Sequence, residues 1–150
     1  MAEPTLFKDG KAAWATGTAT GATLTQISGV KNVELPLSKS ELSNSVMTDD
    51  GETFFPGLIS APITITARQD FTTGAASVDQ QCFNRWDGGD KFRFEVAPVN
   101  AALSATNPGY HFSRVGVFSY TPLSGAHGVL LENNIQLRML SGCVLSRKTA

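Results

Sequence analysis

Leu37-Ser-Lys-Ser-Glu-Leu-Ser-Asn-Ser-Val-Met-Thr-Asp-Asp-Gly-Glu-Thr-Phe-Phe-Pro-Gly-Leu58 is the stretch around which the chain is organised. A strand-like run, Asn32-Val-Glu-Leu-Pro-Leu37, leads into it, and a cleaner strand, Ile63-Thr-Ile-Thr-Ala67, leads out. Between them the residues are polar until an apolar knot at Phe54-Phe55-Pro56. A structureless connection of this length is uncommon in a compact domain and is usually functional or disordered. The acidic cluster Asp49-Asp50-Gly51-Glu52 keeps it soluble, while Val46, Met47, Phe54 and Phe55 give it something to bury. A loop of about Ser38 to Gly57 with its own apolar anchors reads either as a docking element for another chain or as a mobile loop folded back on its own domain.

Outward from that loop the period is two. Leu24 and Ile27 mark a short first strand, and Gly29 separates it from the next, which Pro36 makes an edge or bulged strand. Ala61 to Arg68 alternates Ile63, Ile65 and Ala67 against Thr64, Thr66 and Arg68, the pattern of a half-buried strand. Lys91 to Val96 sets Phe92, Phe94 and Val96 against Lys91, Arg93 and Glu95, whose face is expected to see water. His111 to Thr121 carries Phe112, Phe118 and Tyr120 on one face and Val115 and Val117 on the other, so it is expected centrally or under another subunit. In Val129 to Leu140, Leu131, Ile135, Leu137 and Met139 oppose Glu132, Asn134, Gln136 and Arg138. A last short strand is read at Cys143 to Leu145, after the bend at Gly142.

One helix interrupts the strands. Ser77-Val-Asp-Gln80 has capping-box spacing, Asp79 suits the first turn, and Gly88-Gly89 ends it. Val78, Cys82 and Trp86, with Phe83 beside them, form an apolar stripe, expected to pack on a sheet rather than on a partner. The sum is about seven or eight strands in an antiparallel sandwich or barrel with one flanking helix. It is read as a single domain, 1–150. An N-terminal arm, 1–21, bears Trp14; the core is 22–146; a basic tail, 147–150, contains Arg147 and Lys148.

Charged residues are only 17% and the net charge is −1, so no basic field is available to hold nucleic acid. Apolar residues, at 41%, leave no run long enough to span a membrane, and the N-terminus lacks the basic-then-apolar order of a secretory signal. A chain made and used, or assembled, in a cytoplasm is expected. Cys82 and Cys143 are too few for a disulfide framework and read as free thiols among apolar neighbours. His111 and His127 have no ligand at metal spacing, and no nucleophile elbow, phosphate loop or complete calcium loop is present. No catalytic residue, cofactor or metal is expected.

The ordered features Ser28-Gly-Val-Lys-Asn-Val-Glu-Leu-Pro-Leu-Ser38, the polar loop through Thr48-Asp-Asp-Gly51, Phe54-Phe55-Pro-Gly-Leu58 and Ile63-Thr-Ile-Thr66 resemble the major tail tube proteins of long, non-contractile-tailed bacteriophages. Asn107-Pro-Gly-Tyr110, Val117-Phe-Ser-Tyr-Thr-Pro122 and Gly142-Cys-Val-Leu-Ser146 extend the resemblance over about Ser28 to Ser146. It implies hexameric rings stacked into a tube in the virion tail, through which DNA passes without specific binding. Tape measure, terminator and distal tail proteins would be neighbours. It also implies that the long loop reaches a neighbouring subunit, with the arm and tail adding ring-to-ring contacts. On that basis Trp14, Val46, Met47, Asp49, Asp50, Phe54, Phe55, Arg147 and Lys148 are the expected assembly residues. A head-tail connector, a tail terminator or another virion-associated binding protein that does not form long tubes is the alternative.

Overall fold

The computed structural model describes residues 10–48, 50–74 and 77–150; Asp49 and the first nine residues of the arm lie outside the described part. Among the described residues ten strands and one helix follow in chain order. They are β1 (Lys11–Trp14), β2 (Thr25–Gln26), β3 (Val30–Glu34), β4 (Ser38–Ser43), β5 (Phe54–Ser60), β6 (Ile63–Arg68), α1 (Val78–Asp87), β7 (Phe92–Ala97), β8 (Gly109–Ser124), β9 (Glu132–Met139) and β10 (Leu145–Lys148). The large sheet has the order β2-β1-β7-β8-β9-β6-β3, every pair antiparallel, with β10 also on β8. Strands β4 and β5 form a separate two-stranded sheet. The mainly antiparallel architecture with one flanking helix agrees with the period-two reading.

The 16-residue β8 is the spine. Its first part lies between β7 and β10, while Val115 to Ser124 pairs with β9. Register shifts opposite Phe92/Phe94 and between Val117 and Ser119 mark bulges. A bulge inserts a residue and resets the alternation. Phe112, Val115 and Val117 are therefore all buried, whereas Phe118 is exposed and Tyr120 is half-buried against the core. This corrects the two-faced assignment, which assumed unbroken alternation. Glu95 and His111 are buried as well, so the charged face of β7 is largely covered.

The helix begins as its capping box requires: the Ser77 hydroxyl accepts from the Gln80 N–H at 3.2 Å. It ends at Gly88, whose N–H donates to Asn84 O, and Gly89 takes φ +62°. Its inner face is Val78, Cys82 and Arg85; Phe83 and Trp86 are 48% and 47% exposed. The buried stripe ends at Arg85, one residue short of the expected Trp86. Arg85 completes two turns from Val78, and Trp86 is rotated a further roughly 100° away.

Trp14 is the larger correction. It is 1% exposed, its ring meets Phe92 edge-on at 5.8 Å, and its Nε1–H donates to Gln81 Oε1 at 3.0 Å. Arg85 stacks over it, 4.2 Å from the ring centroid, and donates to Ala15 O and Gln81 O. Ala12, Ala13 and Ala15 are buried too, so small residues in the supposed arm let β1 pack tightly as a strand of the main sheet. The basic tail is likewise a strand: Arg147 pairs with Tyr110 and Lys148 with Gly109.

Trp14→Ala is expected to cost about 3–5 kcal/mol, the range for removing a buried Trp. Urea unfolding followed by Trp86 fluorescence measures it; a loss below about 1 kcal/mol would restore the arm reading.

Candidate assembly surfaces

The segment 38–57, expected as a loop, is mostly a hairpin. Ser38 pairs with Ser60, Leu42 with Phe55 and Ser43 with Phe54, with a register shift between Lys39 and Glu41. At that irregularity the Ser40 hydroxyl accepts from the Leu58 N–H at 2.8 Å. Gly57 is required there: a Cβ would lie 2.2 Å from Ser40 Oγ and 3.0 Å from Ser40 O. Pro56 is tolerated because a bulged edge strand does not need every N–H. Beyond the strands, Asn44 N–H donates to Thr53 O and Thr53 N–H to Ser45 Oγ, both at 2.8 Å, which squares off the tip.

Of the expected assembly residues, this hairpin collects Val46, Met47, Asp50, Phe54 and Phe55, all exposed. It adds Leu42, Leu58 and Ile59, also exposed. These were missed because their period-two alternation was broken by Pro56 and Gly57 and hidden among serines. Trp14 is not brought to this surface; it is core. Arg147 and Lys148 lie on β10, where they are held by pairing to β8. Leu145 of β10 nevertheless borders the hairpin's root, with Leu37, Ser38, Lys39 and Ile59 around a shallow hollow. Two more exposed apolar groups stand elsewhere: Phe83 with Trp86 on α1, ring centroids 5.8 Å apart, and Leu123, Val129 and Leu130 at the β8–β9 turn.

Behind these surfaces the frame is held by polar joints. Tyr120 Oη donates to Asp79 Oδ1 at 2.7 Å, while Gln69 Nε2 donates to Tyr120 Oη and to Pro122 O. Asn133 Nδ2 donates to Gln69 Oε1 at 2.8 Å, tying α1, β8 and β9 together. Burial and the Asp79 carboxylate push the Tyr120 hydroxyl above its ordinary range. Burial pushes the Cys82 thiol up to about 12, so it is protonated and inert at neutral pH. Among the described residues no group of three or more His, Cys, Asp or Glu is placed to hold a metal ion. No helix there is long and apolar enough to cross a membrane.

No family model matches this chain and no curated protein matches it. Solved structures do. The tail tube of SPP1 aligns at TM-score 0.71 and 14% identity, over 98% of this chain and 81% of that one. A chain from the tail of the empty GTA particle, with C6 symmetry, aligns at TM-score 0.68 and 13% identity, over 97% of this chain and 99% of that one. The fold is the tail-tube fold. The sheath/tube terminator of PVC, an extracellular contractile injection system, shares it at TM-score 0.68 and 13% identity, over 97% of this chain and 98% of that one. A neighbour at lower similarity, a type six secretion system protein, aligns at TM-score 0.52. Among the described residues, the β4–β5 hairpin carries the most exposed large apolar side chains of any element.

Phe54→Ser with Phe55→Ser is expected to leave unfolding stability within about 1 kcal/mol of the parent, because both side chains are half-exposed. Thermal or urea denaturation checks this. Native protein treated with a thiol reagent at neutral pH should be modified at Cys143 and not at Cys82, as peptide mapping would read; modification at both would mean that the helix face opens readily.

Proposed function

We propose that the chain is a structural virion subunit that forms hexameric rings stacking into a phage tail tube, a conduit for DNA. The observation that carries this reading is the whole-chain fold match to the SPP1 tail tube and to a sixfold-symmetric GTA tail. The β4–β5 hairpin fits the role. Two strands alone are marginally stable in water, and this pair exposes large apolar side chains that a neighbouring copy would cover. Each Phe or Leu so buried is worth roughly 1.5–3 kcal/mol. A net charge of −1 suits a channel that must not grip phosphate. The subunit would assemble in the host bacterial cytoplasm and reside in the virion tail, next to terminator, tape measure and distal tail proteins. No catalytic or cofactor role is assigned. Among the assembly residues, Val46, Met47, Asp50, Phe54 and Phe55 keep their proposed part in the hairpin contact. Asp49, outside the described residues, is proposed with them from the sequence.

A second position has its own support, since tube-terminating proteins of PVC and of the anti-feeding prophage share the fold. Negative-stain electron microscopy over a concentration series separates the two. Long hollow tubes are expected; single rings that never stack would favour a terminator or connector. The Phe54→Ser, Phe55→Ser variant should remain a folded monomer and form no tubes, and normal tubes from it would remove the hairpin from the contact.

A further inference from the structure

A set of charges from β1, β7 and β10 surrounds one buried histidine that the assembly reading does not use. His111 is 5% exposed. Arg93 aims two nitrogens at its Nε2, Nε at 3.1 Å and NH2 at 2.7 Å. A guanidinium can only donate, so Nε2 accepts and the ring is neutral, with its proton on Nδ1. That Nδ1 faces Glu95 Oε2 at 3.6 Å, beyond a good hydrogen bond, and the other carboxylate oxygen is taken by Lys11 Nζ at 2.8 Å. Glu95 and His111 are register partners across β7 and β8, and Ser146 of β10 is the partner of His111 on its other side. Lys148, two residues on, shares that face. Arg147 alternates to the opposite one, beside Tyr110.

We propose that neutral His111 is a proton-operated latch that keeps β10 paired to β8 and Arg93 fixed on the 15–19 segment, and that it releases both as the pH falls. The charged groups around the ring are Arg93 and Glu95 from β7, Lys148 from β10 and, through Glu95, Lys11 from β1. Residues 16–21 add none. A proton on Nε2 would replace the acceptor that Arg93 uses with a donor. It would also place a further cation beside Arg93 and Lys148, with one carboxylate already shared with Lys11. Burial, then Lys148, then Arg93 hold His111 below its ordinary value, against the opposing pull of Glu95.

Two segments depend on the latch. β10 has four residues and pairs only with β8. Arg93 holds the turn after β1 through NH1 to Ala19 O at 3.3 Å and through its backbone to Ala15 and Gly17. The sign follows from linkage. Above the ordinary histidine range, latched and released forms are both neutral and the latch is fully engaged. As the pH falls through about 6.5, the released form takes up a proton that the latched form resists. Release then gains on the order of tenfold per pH unit until the latched ring itself titrates.

Amide hydrogen exchange of the full chain at low concentration, between about pH 7.5 and about pH 5 and corrected for intrinsic rates, tests the latch. Protection of residues 145–148 should fall across that range while β6 holds. His111→Gln keeps an acceptor for Arg93 but cannot titrate, so its β10 protection should be independent of pH. Constant protection in the parent, or the same fall in the variant, overturns the proposal. Should the variant fold poorly, the ¹⁵N spectrum of the parent imidazole decides alone. A neutral Nδ1–H ring at neutral pH, protonating together with loss of β10 protection, supports the latch. A charged ring inside a still-protected β10 overturns it. Neither readout depends on tube formation, so a failed latch and a failed tube reading are told apart.

Discussion

Everything in this molecule leans on β8, and β8 cannot obey simple alternation. A strand of 16 residues that serves β7 and β10 at one end and β9 at the other must bend. The bend is made by bulges, which change the face presented to the core. That is why Phe112, Val115 and Val117 all point inward and meet Phe94, Ile63, Ile135 and Leu137 in one cluster. It is also why Tyr120 reaches Asp79 and fastens α1, and why the chain can leave β9 at Leu140, turn through Gly142 at φ +79°, and return as β10 along the same edge.

The helix and the first strand are joined through Trp14 and Arg85. Trp14 brings the N-terminal strand under α1, with Phe92 at its edge and Arg85 on its face. Burial works against the Arg85 charge, while the ring face, two backbone carbonyls and the Asp90 carboxylate support it. Among the described residues the main sheet leaves two buried polar atoms without a hydrogen bond, His111 Nδ1 and Asn133 Oδ1. The β4–β5 hairpin has no exposed-to-buried alternation at all. Its apolar side chains stand exposed on both strands.

The period of the strands and the caps of the helix were legible because local rules set them. Ile63, Ile65 and Ala67 are buried, as alternation demands, and Ser77 caps as its spacing demands. What was not legible depends on contacts distant in sequence. Nothing near Trp14 announces Phe92 or Arg85. Nothing near Arg147 announces Tyr110. The hairpin within 38–57 was obscured for a local reason: serine, proline and glycine weaken the strand signal, and Ser40 and Gly57 make sense only once paired. Val46, Met47, Phe54 and Phe55 inside that segment stand out in the sequence by composition alone, and all four are exposed. The ionic set around His111 was invisible, because Lys11, Arg93, Glu95, His111 and Lys148 come from four strands.

The placement of exposed apolar groups constrains the kind of assembly the chain can form. The hairpin, the Phe83–Trp86 pair and the β8–β9 turn are three different surfaces on different elements. A two-fold dimer would need one patch that complements itself. A hairpin that covers some other surface of the next copy makes a heterologous contact instead, and a heterologous contact repeats around a ring or along a helix. In the proposed tube, monomer and polymer would place opposite demands on one segment: polar enough at Asp50 and Glu52 to stay soluble, and apolar enough at Leu42, Phe54, Phe55 and Leu58 to be worth burying. A hairpin set apart from the main sheet meets both, because its side chains can change surroundings without disturbing the core around β8.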